Sequence, residues 1–495
     1  MNRDRLKFFL WTLAALSAGL LLRLFFVVHL SRIAGDTLLY GDIAKTWLQH
    51  GIYGFTETNP TPGSILFRPT LIRLPGYPLF LAACFRLFGM EHYNAVLYAQ
   101  VAADLLTCWL ASALAGCIFG RRARLPVLWI AALCPFTANY VAVPLTETLV
   151  LTTIALALYA FARWQSTALG FSRWLWIAAS AIAYSILLRP DQGLLAAAIL
   201  PAMLYSSLAT RERRARPLRS ALPVLAAALC VVLPLVPWTI RNERTFHVFQ
   251  PLAPRYANDP GEQLSLGFAR WYRTWAIEYT TNETVYWNYP GNRIELSDLP
   301  SRAFDAGSPA ATTDLRRRTA TLLADYNRNS VATPAFDARF AALARERVYD
   351  HPILCRIGMP VARLLNMAFR PRTEMMPLSD DWWSWSDHPE QSAYAYAYAA
   401  LNFACFVLAL SGLYRWRRHS WFASDSGSHD NRALALAMAA YFLLRSTLLL
   451  TIDNSEPRYT LEFFPILFVW IAALFATPPQ ITQPPSSSPK LQRCL

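Results

Sequence analysis

Charge is what this sequence has little of. Lys, Arg, Asp and Glu supply 16% of its 495 residues, against about 25% in soluble globular domains. That scarcity, with no G-X-Y period and no sustained heptads, excludes disordered, collagen-like and coiled-coil classes. Metal and disulfide patterns are lacking too. The eight cysteines (Cys84, Cys108, Cys117, Cys134, Cys230, Cys355, Cys405 and Cys494) form no CxxC pair, and most lie inside apolar runs. They read as small core hydrophobes. The eight histidines include no HxH or HxxxH pair, which argues against a His/Cys metal site. There is no GxGxxG or DxD sugar-nucleotide signature and no repeat at a fixed period.

Apolar residues, by contrast, are plentiful: 55% of the chain is hydrophobic and 14% aromatic, with 17 Trp. A soluble fold of this length, about three domains, could not hide so much apolar surface, so the bilayer is the solvent for much of it. A span takes about 20 apolar residues. Candidate runs are Phe8–Leu30, Asn94–Phe119, Leu125–Tyr140, Thr146–Arg163, Arg173–Leu188, Gln192–Ala209 and Leu222–Trp238, then Tyr394–Leu413, Ala433–Ile452 and Tyr459–Thr477. The third, short and interrupted by Pro126 and Pro135, has the least defined limits. Arg3, Arg5 and Lys7 before the first run imitate a signal peptide, but the run is long and many more follow, so an uncleaved anchor is expected. The fold class predicted is an all-α polytopic membrane protein with about ten transmembrane helices.

Threading from an inside N-terminus puts Arg121-Arg122-Ala123-Arg124 in the cytoplasm, with Arg211, Arg213, Arg214, Arg216 and Arg219, and then Arg415, Arg417 and Arg418. That is the positive-inside pattern. It accounts for much of the +14 net charge, and no nucleic-acid partner is expected. The expected organisation is a transmembrane core over 1–238 with an outer loop at 31–93, and an α-rich outer insert at 239–392. C-terminal transmembrane helices at 393–477 and a Pro/Ser-rich disordered cytoplasmic tail at 478–495 complete it.

The first outer loop carries the strongest signal. Tyr40, Ile43, Ala44 and Trp47 stand at i, i+3, i+4 and i+7, which predicts an amphipathic helix lying at the membrane surface. Asp36 begins it. Its carboxylate reads as an N-cap. Asp42, six residues on, faces a different side and reads as solvated surface. After Arg68-Pro69, the stretch Arg73-Leu74-Pro75-Gly76-Tyr77-Pro78 forces a turn before a short apolar helix. Arg73 stands just before that helix, near the headgroup level, and reads as an interfacial arginine that snorkels. Asp104 and Arg445 fall inside spans, where lone charges are costly, and are expected to pair with each other between helices.

An acidic residue opening the first outer helix, Tyr40 four residues on and then R-x-P-G-Y-P together resemble the family 39 glycosyltransferases of the GT-C superfamily. These include protein O-mannosyltransferases and the lipid A aminoarabinose transferases. Pro144-Leu145-Thr146-Glu147 resembles the family's Glu-bearing start of the fourth span, and Arg189-Pro190 its fifth-span ending. Pro237-Trp238-Thr239-Ile240-Arg241-Asn242 is similar to its span-seven exit, and Glu456-Pro457-Arg458-Tyr459 to the opening of its last span. The resemblance covers 1–250 and 452–477 well and the insert poorly.

What it implies is a GT-C fold that transfers a hexose or pentose, with inversion, from a polyprenyl-phosphate donor. The setting implied is the periplasmic side of a bacterial inner membrane, and the acceptor a glycan, a lipid or a protein. Asp36 would be catalytic, its carboxylate taking the acceptor's proton at the outer surface, with Asp42 as a partner that orients the acceptor or raises the Asp36 pKa. Arg73, Arg241 and Arg458, with the hydroxyls of Tyr40, Tyr77 and Tyr459, would bind the donor phosphate, and Glu147 would line the acceptor cavity. No metal or other cofactor is expected. In the insert, Phe268–Trp275 and Asp380–His388 mix aromatics with charge, so either could stack on an acceptor sugar. The second reads better as an interfacial Trp belt, or its Asp380, Asp381 and Asp387 as ligands of a hard cation. A transporter or lipid flippase is the rival reading. It calls for matching halves with Gly/Pro-broken helices, which the sequence lacks. A non-catalytic scaffold would have no need of Asp36 or the outer arginines. Reporter fusions check the threading: alkaline phosphatase should be silent when fused after Arg219 and active after Gly291, and the reverse would overturn it.

Overall fold

Within a bilayer every backbone N–H and C=O needs an internal partner, so a long apolar run becomes a helix. Each of the ten runs does so in the computed structural model, which describes residues 3–58, 65–167, 169–209, 211–379, 382–420 and 428–476. Among the described residues seven helices are long and apolar enough to cross a membrane: Arg3–Leu30, Tyr93–Phe119, Glu147–Gln165, Pro217–Phe246, Pro389–Arg417, Arg432–Leu450 and Pro457–Phe475. The proline-interrupted third run forms an eighth, broken element, Arg121–Ala132 and Pro135–Ala142, bent by 46°. Two runs give shorter helices, Arg173–Leu188 and Gly193–Ser207, of 16 and 15 residues. Pro190 separates them: it forces Arg189 into extended backbone (φ −149°, ψ 128°) and ends the first. Glu147–Gln165 and Pro457–Phe475 are buried on nearly all sides at the centre, whereas Arg3–Leu30 and Pro217–Phe246 are peripheral.

The two ends of the bundle differ in chemistry. The Arg121 and Arg124 guanidiniums lie over the Phe8 ring, 4.9 and 5.5 Å from its centroid. At the other end of the first helix the Arg32 N–H donates to the Ala142 carbonyl at 3.1 Å, beside the first loop. A helix of 28 residues separates these ends by about 42 Å.

The two charges placed deep within spans, Asp104 and Arg445, are paired, with partners other than those expected. Arg23 of the first helix takes Asp104, Nε to Oδ2 at 2.7 Å, and its Nη1 donates to the carbonyls of Gly19 and Ala132. Arg445 instead meets Asp191 and Glu462. The Asp104–Arg445 pairing is therefore corrected: each lies beside a different neighbour, and spacing along the chain carries no range between helices.

The first loop forms the amphipathic helix Asp36–His50, with Tyr40, Ile43 and Ala44 buried. Gly35, at φ +59°, is its N-cap, and no side chain caps it. Asp36 is thus the first helical residue, and the N-cap reading is set aside. A small antiparallel hairpin, Gly54–Thr58 against Ile65–Pro69, was not foreseen. Asp42 anchors it, accepting from Thr56 N at 2.7 Å and Thr56 Oγ1 at 2.8 Å. The following turn opens the helix Gly76–Phe88. A Cβ on Gly76 would lie 2.5 Å from the Leu187 carbonyl carbon, so only glycine lets this helix start against the end of Arg173–Leu188.

The insert has its own core, from Phe268 to Ala344. Phe268, Trp271 and Trp275 are buried in it, which removes Phe268–Trp275 as a sugar-stacking surface. Amphipathic spacing on one helix buries aromatics as readily as it displays them. Arg347, equally buried, is held by Thr274 Oγ1 and the carbonyls of Arg302, Ala303 and Asp305. Trp383 and Trp385 are exposed, while Asp380, Asp381 and the tail from 477 lie outside the described residues.

The Arg23–Asp104 pair makes a stability prediction. Asp104→Ala strands a buried guanidinium and should cost about 3–5 kcal/mol, whereas Arg23→Met with Asp104→Leu should cost far less. Thermal unfolding in detergent measures both, and equal losses would show that charge is not the reason.

Candidate functional site

The site forms where segments far apart in sequence meet at the loop end of the bundle. Asp36 comes from the loop helix, Arg73 from the turn before Gly76–Phe88, and Arg458 from the start of the last span. Each oxygen of Asp36 takes one guanidinium: Arg73 Nη2 reaches Oδ1 at 3.0 Å, and Arg458 Nη2 reaches Oδ2 at 3.1 Å. The Tyr40 ring lies 5.6 Å from the Arg73 guanidinium and fixes its approach. Arg458 also pairs with Glu456 and lies 3.8 Å from Glu147.

From Glu147 the charges alternate inward. Arg189 reaches Glu147 at 3.3 Å, Asp191 at 3.3 Å and Glu462 at 3.6 Å, and the last two meet Arg445. Asp36 is thus one end of a buried ion chain. Burial raises the pKa of its carboxyl, but the Arg458 and Arg73 guanidiniums outweigh this and hold it below its ordinary value. Burial pulls the Arg73 guanidinium down, and Tyr40 and Asp36 outweigh that, so it stays charged.

Two cavities meet at this clamp. One, of about 720 Å³, is lined by Asp36, Arg73, Glu147, Arg189, Arg255 and Arg458 among others. The other, of about 450 Å³, is lined by Tyr140, Glu283, Trp287 and Glu374, and shares Asp36, Glu456 and Arg458 with the first.

The structure brings together Asp36, Tyr40, Arg73, Glu147, Arg458 and Tyr459, all on the wall of the larger cavity. It does not bring Asp42, Tyr77 or Arg241 there. Asp42 holds the hairpin. Tyr77 is fully buried and donates to Gln100 Oε1 at 2.8 Å. Arg241 donates to the Thr70 and Tyr53 carbonyls, both at 2.7 Å, and lines a separate apolar cavity of about 540 Å³. Its motif falls inside the helix Leu235–Phe246, which aims the guanidinium at the first loop.

Two residues escaped the sequence reading. Arg255 lines the larger cavity, donates to the Thr451 carbonyl and, among the described residues, ion-pairs with no carboxylate. Trp287 lines both cavities and is 45% exposed. Both lie in the insert, where no motif marks them.

Residues 68–239 match the family described as dolichyl-phosphate-mannose-protein mannosyltransferase. This stretch is a domain of that GT-C family. It holds Arg73, Glu147 and Arg189, and the motif resemblance is thereby borne out; Asp36, Arg255 and Arg458 lie outside it. No curated protein matches the sequence. Among solved structures, the chain is similar to the Archaeoglobus fulgidus oligosaccharyltransferase tethered to an acceptor peptide, with 13% identity and TM-score 0.48, over 94% of this chain and 49% of that one. The same enzyme with an inhibitory peptide and dolichol-phosphate gives 12% and 0.43, over 94% and 50%. ArnT from Cupriavidus metallidurans bound to undecaprenyl phosphate gives 14% and 0.37, over 89% and 77%. The chain spans about half the length of the archaeal enzyme.

The clamp has a pH signature. The folded Asp36 carboxyl titrates below its ordinary value, so on acidification the unfolded chain binds the proton first. The stability it confers is complete above about pH 4 and is lost as pH falls through the lower folded pKa. Asp36→Asn should therefore show a shallower fall in thermal stability on acidification than the parent. Parallel curves would mean that Asp36 is not held as an ion.

Proposed function

We propose that this protein transfers a sugar from a polyprenyl-phosphate donor to a hydroxyl acceptor at the outer face of a bacterial inner membrane. The observation that carries the reading is a single carboxylate, clamped by two arginines, where two cavities meet. The donor enters the larger cavity with its phosphate toward Arg73, Arg458 and Arg255. The acceptor oxygen attacks the anomeric carbon from the Asp36 side, and its proton passes to the Asp36 carboxylate. The bond from that carbon to the phosphate oxygen breaks, and the lipid phosphate leaves with the electron pair.

Charge decides the division of labour. A bound phosphate competes with Asp36 for the two guanidiniums, so binding frees the carboxylate and raises its basicity when it is needed. As the bond breaks, negative charge grows on the phosphate, and fixed arginine forks stabilise that charge most in the transition state. Tyr40 and Tyr459 support Arg73 and Arg458, and Glu147 orients Arg458 from behind. Arg241, Tyr77 and Asp42 act at one remove, holding the loop that carries Arg73 and Asp36. The family described for residues 68–239 takes its donor sugar from a lipid phosphate, which agrees with this reading.

Asp36→Asn keeps the shape but cannot accept a proton, so transfer should fall by about two to four orders of magnitude with donor binding retained. Arg73→Ala, Arg458→Ala and Arg255→Ala should each lose about 2–4 kcal/mol of transition-state stabilisation, with partial rescue by Lys. The assay uses purified protein, a labelled polyprenyl-phosphate sugar and envelope membranes. Near-parental turnover by Asp36→Asn would remove the base, and movement of intact donor lipid across vesicles without transfer would favour the flippase reading.

A further inference from the structure

The smaller cavity differs in character from the larger one. Four carboxylates line it, Asp36, Glu283, Glu374 and Glu456, against two arginines, Arg32 and Arg458. Arg458 is already engaged by Asp36 and Glu456. A phosphate group brought here would meet an excess of negative charge at short range in a partly desolvated space, a costly arrangement. A neutral acceptor meets no such barrier.

Glu374 is fixed in this wall: its Oε1 accepts from the Tyr140 hydroxyl at 2.6 Å. Beside it stand two aromatic rings. Tyr279 and Trp287 meet edge to face, 5.6 Å apart, and both line the cavity. The Arg370 guanidinium, 4.8 Å from the Tyr279 ring centroid, holds one of them in place. An aromatic corner among carboxylates suits a sugar ring: apolar C–H faces pack on the indole, and hydroxyls donate to carboxylate oxygens of the wall.

We infer that the acceptor is a neutral sugar bound in the smaller cavity, its ring against Trp287 and Tyr279, with the attacking hydroxyl at Asp36. This rests on the donor reading above and adds the chemical class of the acceptor. The bond formed is a glycosidic acetal between the acceptor oxygen and the anomeric carbon. The bond broken is the donor's glycosyl phosphate, and the proton goes to Asp36.

The test uses purified full-length protein, radiolabelled polyprenyl-phosphate sugar and envelope membranes, and reads both the linkage and the saturation behaviour. A sugar acceptor gives label that survives mild acid and also survives alkaline β-elimination. Acid-labile label would mean a phosphate acceptor, and alkali-released label a Ser or Thr hydroxyl; either overturns the inference while leaving the donor reading intact. No transfer by the parent would defeat the donor reading, and the inference with it. Trp287→Ala should raise the half-saturating envelope concentration about tenfold without moving that of the donor, and Trp287→Phe should recover most of the loss. Parental acceptor saturation in Trp287→Ala, or a shift in donor saturation instead, would show that the acceptor binds elsewhere.

Discussion

A guanidinium and a carboxylate can leave water together, but either one alone in a membrane interior is prohibitively costly. The interior of this bundle is arranged around that constraint. Arg23 needs Asp104, which ties the first helix to Tyr93–Phe119. Arg445 needs Asp191 and Glu462, which joins three further segments. Arg189 continues the pattern to Glu147, and Glu147 approaches Arg458. The helices are thus not only packed by apolar burial but also registered, because a shift along any one axis would leave a charge without its counter-ion.

The site is the solvent-facing end of the same chain of charges. Asp36 and Arg73 are part-exposed, whereas Glu147 and Glu462 are nearly fully buried. A buried network makes a rigid platform, and the proposed donor phosphate would meet it at its open end, where Asp36 and Arg73 are part-exposed. The hairpin held by Asp42 and the loop held by Arg241 serve that end, keeping Asp36 and Arg73 within reach of a span that enters the fold hundreds of residues later. The insert closes the arrangement: Asn282 donates to the Ser455 carbonyl at 2.7 Å, and Arg372 grips Thr460 and the Pro457 carbonyl beside Arg458. Those bonds bring Trp287 and Glu374 to the edge of the site.

Much of this was legible in the order of residues. Apolar runs near span length become helices because lipid leaves the backbone no other choice, and each of the ten runs is helical. The stripe Tyr40, Ile43, Ala44 and Trp47 marked the loop helix because a period of 3.6 is local. R-x-P-G-Y-P marked a turn through the local geometry of proline and glycine. Six of the nine expected site residues share one cavity wall because their motifs sit at the ends of neighbouring helices.

What the residues could not say alone concerns partners and direction. That Arg445 meets Glu462 rather than Asp104, and that Arg241 turns toward Tyr53 and away from Asp36, depends on how helices rotate about their axes. That rotation is set by side-chain packing over the whole bundle. Phe268–Trp275 reads equally well as a binding surface or a core stripe, and only the neighbouring helix Pro334–Asp350 decided for the core. Arg255, Trp287 and Glu374 carried no motif at all. They reached the cavity walls when the insert folded back onto the last span, so sequence by itself determined the helices, the loop turn and the stock of charges. Tertiary structure decided which charges face each other, because Coulomb and packing energies fall off with distance through space and take no account of separation along the chain.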